Sequence, residues 1–356
     1  MKEKLAERNA KLIDILIRRI ERDCPGAVSL IDIYGSFCSG DFHERSDLDL
    51  MILLKDDRAW ALAKSFILEG IGYDFYCTTW ESLESDAAYH SPHLAKLLDS
   101  KIVYCPDESD RVRLEALREK AKRILSAPLC TEDLERAEKA YGEAERMLSK
   151  LMRTEDLACC RGYICWLLYY LEQAICFLNK SYFHLGTKRI FQEFAAMRYV
   201  PENYEMLVRR LVSSAAVTDL RNTAIELFRV VDQCFTEAGK SLNVKAAPKA
   251  NDLCGTLEEM VSNWRGKVLN AAKQGDAYAA LMALGSLQSF FDELADVYDM
   301  PRYDAIAAFD PEDLKQTARN FDSVLKAYHA EYDKVKLSAA IYNTIEAFEK
   351  DYLSLE

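Results

Sequence analysis

Strand-forming runs are confined to roughly the first hundred residues of this chain, and the remainder is patterned as helix almost without interruption. Short β-rich stretches occupy 29–34, 47–54, 72–79 and 101–105. They are preceded by an amphipathic segment in which Leu5, Leu12, Ile13, Ile15, Leu16 and Ile20 recur mostly at three- and four-residue spacing. From about Ser109 the β signals stop, and helical patterns cover 112–125, 131–152, 157–179, 187–197, 202–213 and 218–241. The fold class read from this order is α+β: a small mixed sheet flanked by helices, then an all-α bundle region.

The stretch 243–251, with Ala246, Ala247 and Pro248, reads as a linker or long turn. Beyond it, 253–274, 277–298, 311–336 and 337–352 read as four further helices. The expected domains are therefore 1–108, 109–245 and 246–356, the last either completing the preceding bundle or standing apart from it.

A chain of 356 residues exceeds what one core usually supports, which agrees with that division. With 46 basic and 58 acidic residues the net charge is −12, which repels a phosphate backbone and disfavours a long nucleic-acid partner. Eleven cysteines without a CxxC pair fit reduced, buried thiols better than a disulfide framework or a zinc site. The N-terminus lacks the pattern of a signal peptide. The most apolar stretch, 162–178, is interrupted by Glu172 and Gln173 and is too short to span a bilayer. The expectation is a cytoplasmic protein with no membrane partner.

The stretch that carries chemistry runs from Ile31 to Leu54. An apolar strand leads into Tyr34-Gly35-Ser36, a polar turn comes next, and a second strand opens with Asp47-Leu48-Asp49-Leu50 before turning wholly apolar. Side chains alternate along a strand, so Asp47 and Asp49 project together while Leu48 and Leu50 face the core. Two like charges so close are tolerated mainly where a cation neutralises both, and hard oxygen ligands suit Mg²⁺. Gly35 permits close backbone approach, and the Ser36 hydroxyl with adjacent amides can donate to phosphate oxygens. In the run 72–78 the apolar positions Tyr73, Phe75 and Cys77 share one face, which leaves Asp74 on the other as a third acid.

These residues resemble the nucleotidyltransferases of the DNA polymerase β superfamily. Tyr34-Gly35-Ser36 and Asp47-Leu48-Asp49-Leu50 match that family's motif in order and spacing, with Asp74 as the acid on a later strand. The resemblance covers about residues 25–106. The pairing with a helical C-terminal half is similar to the antibiotic nucleotidyltransferases that adenylylate aminoglycosides or lincosamides. Asn179, Tyr182 and the Thr187-Lys188-Arg189 stretch add a weaker likeness.

The resemblance implies an enzyme that moves a nucleoside monophosphate, AMP from ATP before other nucleoside triphosphates, to a hydroxyl of a small molecule, with release of pyrophosphate. Asp47, Asp49 and Asp74 would be both catalytic and metal-binding, holding two Mg²⁺ ions, with Gly35, Ser36 and Lys188 on the nucleotide. A homodimer is also expected by analogy. The alternatives are a protein acceptor, or a regulatory protein with a silent transferase site. Glu172 stands in an otherwise apolar helix, as a base on the acceptor or as the partner of a neighbouring helix. Tyr163, Trp166, Tyr169 and Tyr170 are read as core rather than as a stacking platform.

Overall fold

A computed structural model describes residues 2–40, 42–186, 189–242 and 245–354. The chain divides into two compact units, Met1–Leu242 and Asn243–Glu356. In the first, α1 (Lys2–Asp23) precedes a sheet of five strands: β1 (Val28–Ile33), β2 (Leu50–Leu54), β3 (Lys64–Leu68), β4 (Ile71–Thr78) and β5 (Lys101–Tyr104). Their order is β3-β4-β2-β1-β5. β2 and β4 run parallel, and the other neighbours are antiparallel, so the sheet is mixed as the sequence predicts.

The two faces of the sheet are read directly from strand alternation. Ile31, Leu50 and Ile52 pack with Leu12, Leu16 and Ile20 of α1. Leu30, Met51 and Leu53 point the other way, into a core with Trp80 and Leu83. That second face is covered by α3 (Trp80–Ala87) and α5 (Glu108–Ser126), with the short α2 (Ser36–Ser39) and α4 (Ala95–Leu98) at the strand ends. Because β2 is buried on both faces, it is wholly apolar.

The sequence predicts four strands, and the sheet has a fifth, β3. It is an edge strand in which Lys64, Ser65 and Ile67 are exposed, so it lacks the apolar alternation that marks a half-buried strand.

The helical part of this unit comprises α6 (Thr131–Leu151), α7 (Leu157–Leu178), α8 (Ile190–Phe194), α9 (Tyr204–Ser213) and α10 (Val217–Leu242). Leu151, Leu167, Leu171, Leu207 and Leu227 meet in its core. Phe177, Leu178 and Cys234 instead join the sheet's second core, which ties the bundle to the sheet.

The second unit holds α11 (Ala250–Leu253), α12 (Thr256–Met260), α13 (Gly266–Gln274), α14 (Ala277–Val297), α15 (Leu314–Lys334) and α16 (Ile345–Tyr352), around a core that includes Trp264, Leu287, Phe291 and Tyr328. Residues 337–344, read as helix from sequence, are not helical. The chain leaves α15 through Lys336 at φ 58°, and the Leu337 amide donates back to the Tyr332 carbonyl at 2.9 Å, a helix-terminating turn. Among the described residues no helix is long and apolar enough to cross a membrane.

Candidate functional site

The end of β1 and the start of β2 are locked together by backbone pairing. Ile33 pairs with Leu50, and one step further the Tyr34 amide donates to the Asp49 carbonyl at 3.0 Å. The chain then turns through Gly35 at φ 68°, a conformation that disfavours any residue with a Cβ. Space forbids one as well: a Cβ on Gly35 would lie 2.0 Å from Asp49 Oδ2. The Ser36 amide donates to the Asp49 carboxylate. The close approach that the glycine permits is thus made by Asp49 itself, where the sequence pattern suggests a phosphate.

Asp47 and Asp49 flank Leu48, which is 1% exposed and anchors the segment in the core. The preceding turn is closed by Ser46: its amide donates to the His43 carbonyl, and its Oγ accepts the His43 amide, both at 2.9 Å. Arg8 of α1 reaches the Ser46 carbonyl at 3.2 Å. Burial, and then the charge of Asp47, raise the Asp49 carboxyl above the usual aspartate range. A bound cation relieves this kind of stress.

The third acid lies on the same end of the sheet. β2 and β4 pair Leu50 with Phe75, and one residue before that pair on each strand stand Asp49 and Asp74. In β4, Tyr73, Phe75 and Cys77 are buried while Asp74 and Tyr76 are exposed, as alternation predicts; Thr78 is also buried. Ser65 Oγ donates to Asp74 Oδ1 at 2.9 Å, and Asp47 and Asp74 line one open hollow. Tyr34 reports all three acids: its phenol is pushed up to about 12, first by burial and then by Asp49, Tyr76, Asp74 and Asp47. Among the described residues no group of three or more His, Cys, Asp or Glu is placed to hold a metal ion. Asp47 and Asp49 are the acids here that could hold a hard cation, whose remaining positions water and phosphate oxygens would fill.

Beside this strand end lies a cleft of about 620 Å³. Tyr34, Gly35 and Ser36 form one wall, and His93, Lys96, Phe183 and His184 contribute to the rest. Lys96 pairs with Asp86 at 3.0 Å. His93 stacks on Tyr169 and approaches Phe183, with centroid separations of 5.7 and 5.1 Å, and its Nε2 is 3.2 Å from the Tyr169 hydroxyl. Burial, with Lys96 adding to it, lowers the His93 pKa. His184 Nδ1 is 3.1 Å from Asp99 Oδ2, and the Tyr182 hydroxyl donates to Asp99 Oδ1 at 2.8 Å. None of the cleft's histidine or lysine residues is legible as a site from sequence. They stand on the loop before α4, at its start and in the segment after α7, where no motif spacing joins them.

Lys188, expected on the nucleotide, lies outside the described residues. Asn179 clasps backbone: its side chain donates to the Ile175 and Tyr199 carbonyls and accepts the Tyr199 amide. Glu172 is half-buried on α7, where desolvation raises its carboxyl to about 7 and its charge acts on the buried Tyr204 phenol. The aromatic stripe of α7 is not all core. Trp166 is 54% exposed and Tyr169 38%, and Tyr169 carries the stripe to His93 at the cleft.

No protein-family model matches the sequence, and no curated protein does. Among solved structures, the chain is similar to a nucleotidyltransferase-like protein from Exiguobacterium sibiricum 255-15. That similarity has 12% identity and a TM-score of 0.27, and covers 78% of this chain and 89% of that one.

Proposed function

We propose that the chain is a Mg²⁺-dependent nucleotidyltransferase that moves a nucleoside monophosphate, AMP from ATP, to a hydroxyl of a small molecule and releases pyrophosphate. The observation that carries this reading is the crowded strand end: Asp49 seated under Gly35, electrostatically coupled to Asp47, with Asp74 one strand over. A chain keeps a partly buried acid beside a second one when they have a cation to hold.

In this reading Asp47 and Asp49 would hold one ion, and Asp74 would join them at a second. The chemistry such an ion would supply is neutralisation of phosphate charge and a lower pKa for the attacking hydroxyl. The protein's share is positioning. Gly35 fixes where Asp49 stands, Ser36 Oγ and Lys188 hold phosphate oxygens, and the neighbouring cleft seats the reactants away from bulk water. Tyr34, its phenol raised by burial and by these acids, stays protonated beside them. The likeness of the Gly-Ser and Asp-x-Asp motif, with its helical C-terminal half, to the antibiotic nucleotidyltransferases makes an aminoglycoside-like compound the acceptor of this reading.

The test is pyrophosphate release from Mg·ATP against a panel of aminoglycosides and lincosamides, with the acceptor's mass followed by mass spectrometry. One compound that gains a nucleoside monophosphate supports the reading. Release with none, and a mass gain on an added protein instead, would replace the small-molecule acceptor with a protein.

A further inference from the structure

In nucleotidyl transfer the acceptor oxygen bonds to the α-phosphorus as the bridging P–O bond to the β-phosphate breaks. Pyrophosphate leaves with that electron pair, and the acceptor's proton needs a destination. We propose that His184, held by Asp99, takes this proton on Nε2 and passes it to solvent. The proposal rests on the transferase reading and assigns a residue that the motif does not contain.

The geometry is that of a histidine oriented by a carboxylate. Asp99 Oδ2 accepts from His184 Nδ1 at 3.1 Å, which places the neutral ring's hydrogen on Nδ1 and leaves the Nε2 lone pair open. Asp99 is itself fixed, because Tyr182 donates to its other oxygen and the Tyr182 ring lies against the imidazole at a centroid separation of 3.7 Å. His184 lines the cleft together with Tyr34, Gly35 and Ser36, the residues that frame Asp49. Of the other candidate acids, Asp74 accepts from Ser65, and Glu172 is half-buried on α7, where its charge acts on the Tyr204 phenol.

The charged surroundings hold a proton on this base more tightly than on a free imidazole. Asp99 raises the His184 pKa by its hydrogen bond, burial opposes it, and the charges of Asp99 and Glu193 add to the rise. Tyr34, His93 and Lys96, the last paired with Asp86, are further titratable groups lining this cleft. The proton-accepting form of His184 therefore fills as pH rises through a value above the ordinary histidine range.

The experiment combines turnover with spectroscopy. Pyrophosphate release from Mg·ATP is followed with water and with glycerol as simple acceptors, across pH, in the wild type, His184→Gln and Asp99→Asn. Mg·ATP affinity is measured alongside by calorimetry. The expected result is a loss of about 100-fold in kcat for His184→Gln, with affinity within about twofold of wild type. The rising pH limb disappears in that variant, and added imidazole restores part of the rate in His184→Ala. Asp99→Asn shifts the limb to lower pH. ¹⁵N histidine spectra of the wild type should show the Nδ1–H tautomer for His184, a readout independent of turnover.

A His184→Gln enzyme that keeps the wild-type rate and pH limb, or an Nε2–H tautomer in the wild type, overturns the proposal. Absence of Mg·ATP binding in the wild type instead removes the transferase reading, and the base with it.

Discussion

Gly35 and Asp49 occupy one another's space: a Cβ on the first would stand 2.0 Å from a carboxylate oxygen of the second. Gly35→Ala must therefore displace Asp49 or the turn, and its positive φ strains the alanine as well. A displacement of about 1 Å at a catalytic group is worth about 100-fold in rate. The variant should remain folded by circular dichroism yet lose turnover by that factor or more. Wild-type activity in Gly35→Ala would show that Asp49 does not need its present seat.

The raised Asp49 carboxyl, lifted first by burial and then by the charge of Asp47, has a thermodynamic signature. An acid whose folded pKa is raised binds its proton more tightly in the folded state. Stability therefore falls as pH rises from the unfolded to the folded value and stays reduced at neutrality. Asp47→Asn should raise the metal-free melting temperature at pH 7, by roughly 1–3 °C, and should abolish the further rise that Mg·ATP gives the wild type. Thermal unfolding with and without Mg·ATP checks both halves. A lower melting temperature in the metal-free variant would contradict the coupling.

Glu172 gives a second pH prediction with the opposite functional content. Its carboxyl is raised to about 7 by burial alone, so wild-type stability declines as pH climbs from the ordinary glutamate range towards 7 and stays low above it. Glu172→Gln removes that decline and should be the more stable protein at pH 8, with turnover unchanged. Melting curves across pH, paired with a rate at one pH, separate this from a catalytic role, which predicts a collapse in rate.

A buried carboxylate in β1 supports the same strand end from behind. Asp32 is fully buried, accepts from Ser100 Oγ at 2.8 Å and stands 3.4 Å from Arg118, which also donates to the Ser100 carbonyl. Arg118→Ala leaves that carboxylate without its cation and should cost about 3–5 kcal/mol. Denaturant unfolding measures it, and Asp32→Asn in the same background should recover part of the loss. A cost below about 1 kcal/mol would mean that the Ser100 hydroxyl suffices.

The fold is legible in the sequence wherever burial imposes a period. The wholly apolar 50–54 run and the alternation of 73–77 mark β2 and β4, because each residue there faces a packed core or does not. The edge strand β3 has no such constraint on its outer side, and its exposed Lys64, Ser65 and Ile67 leave no signal. At the site, the Gly-Ser and Asp-x-Asp spacing is readable because one strand junction places it. His93, Lys96 and His184 come together only through the packing of α4 and the segment after α7, and no local rule of spacing encodes that. Trp166 departs from its expected core position for a related reason: helical periodicity tells which aromatics share a face, and only the neighbouring elements decide whether that face is covered.

Metal-dependent nucleotide binding at the paired aspartates is tested by calorimetric titration of ATP, with and without Mg²⁺, into the wild type and the Asp47→Asn/Asp49→Asn double variant. Binding should require Mg²⁺ and should be lost in the double variant while the fold is kept. Binding of equal strength in both proteins, or none in the wild type with Mg²⁺ present, would contradict the transferase assignment.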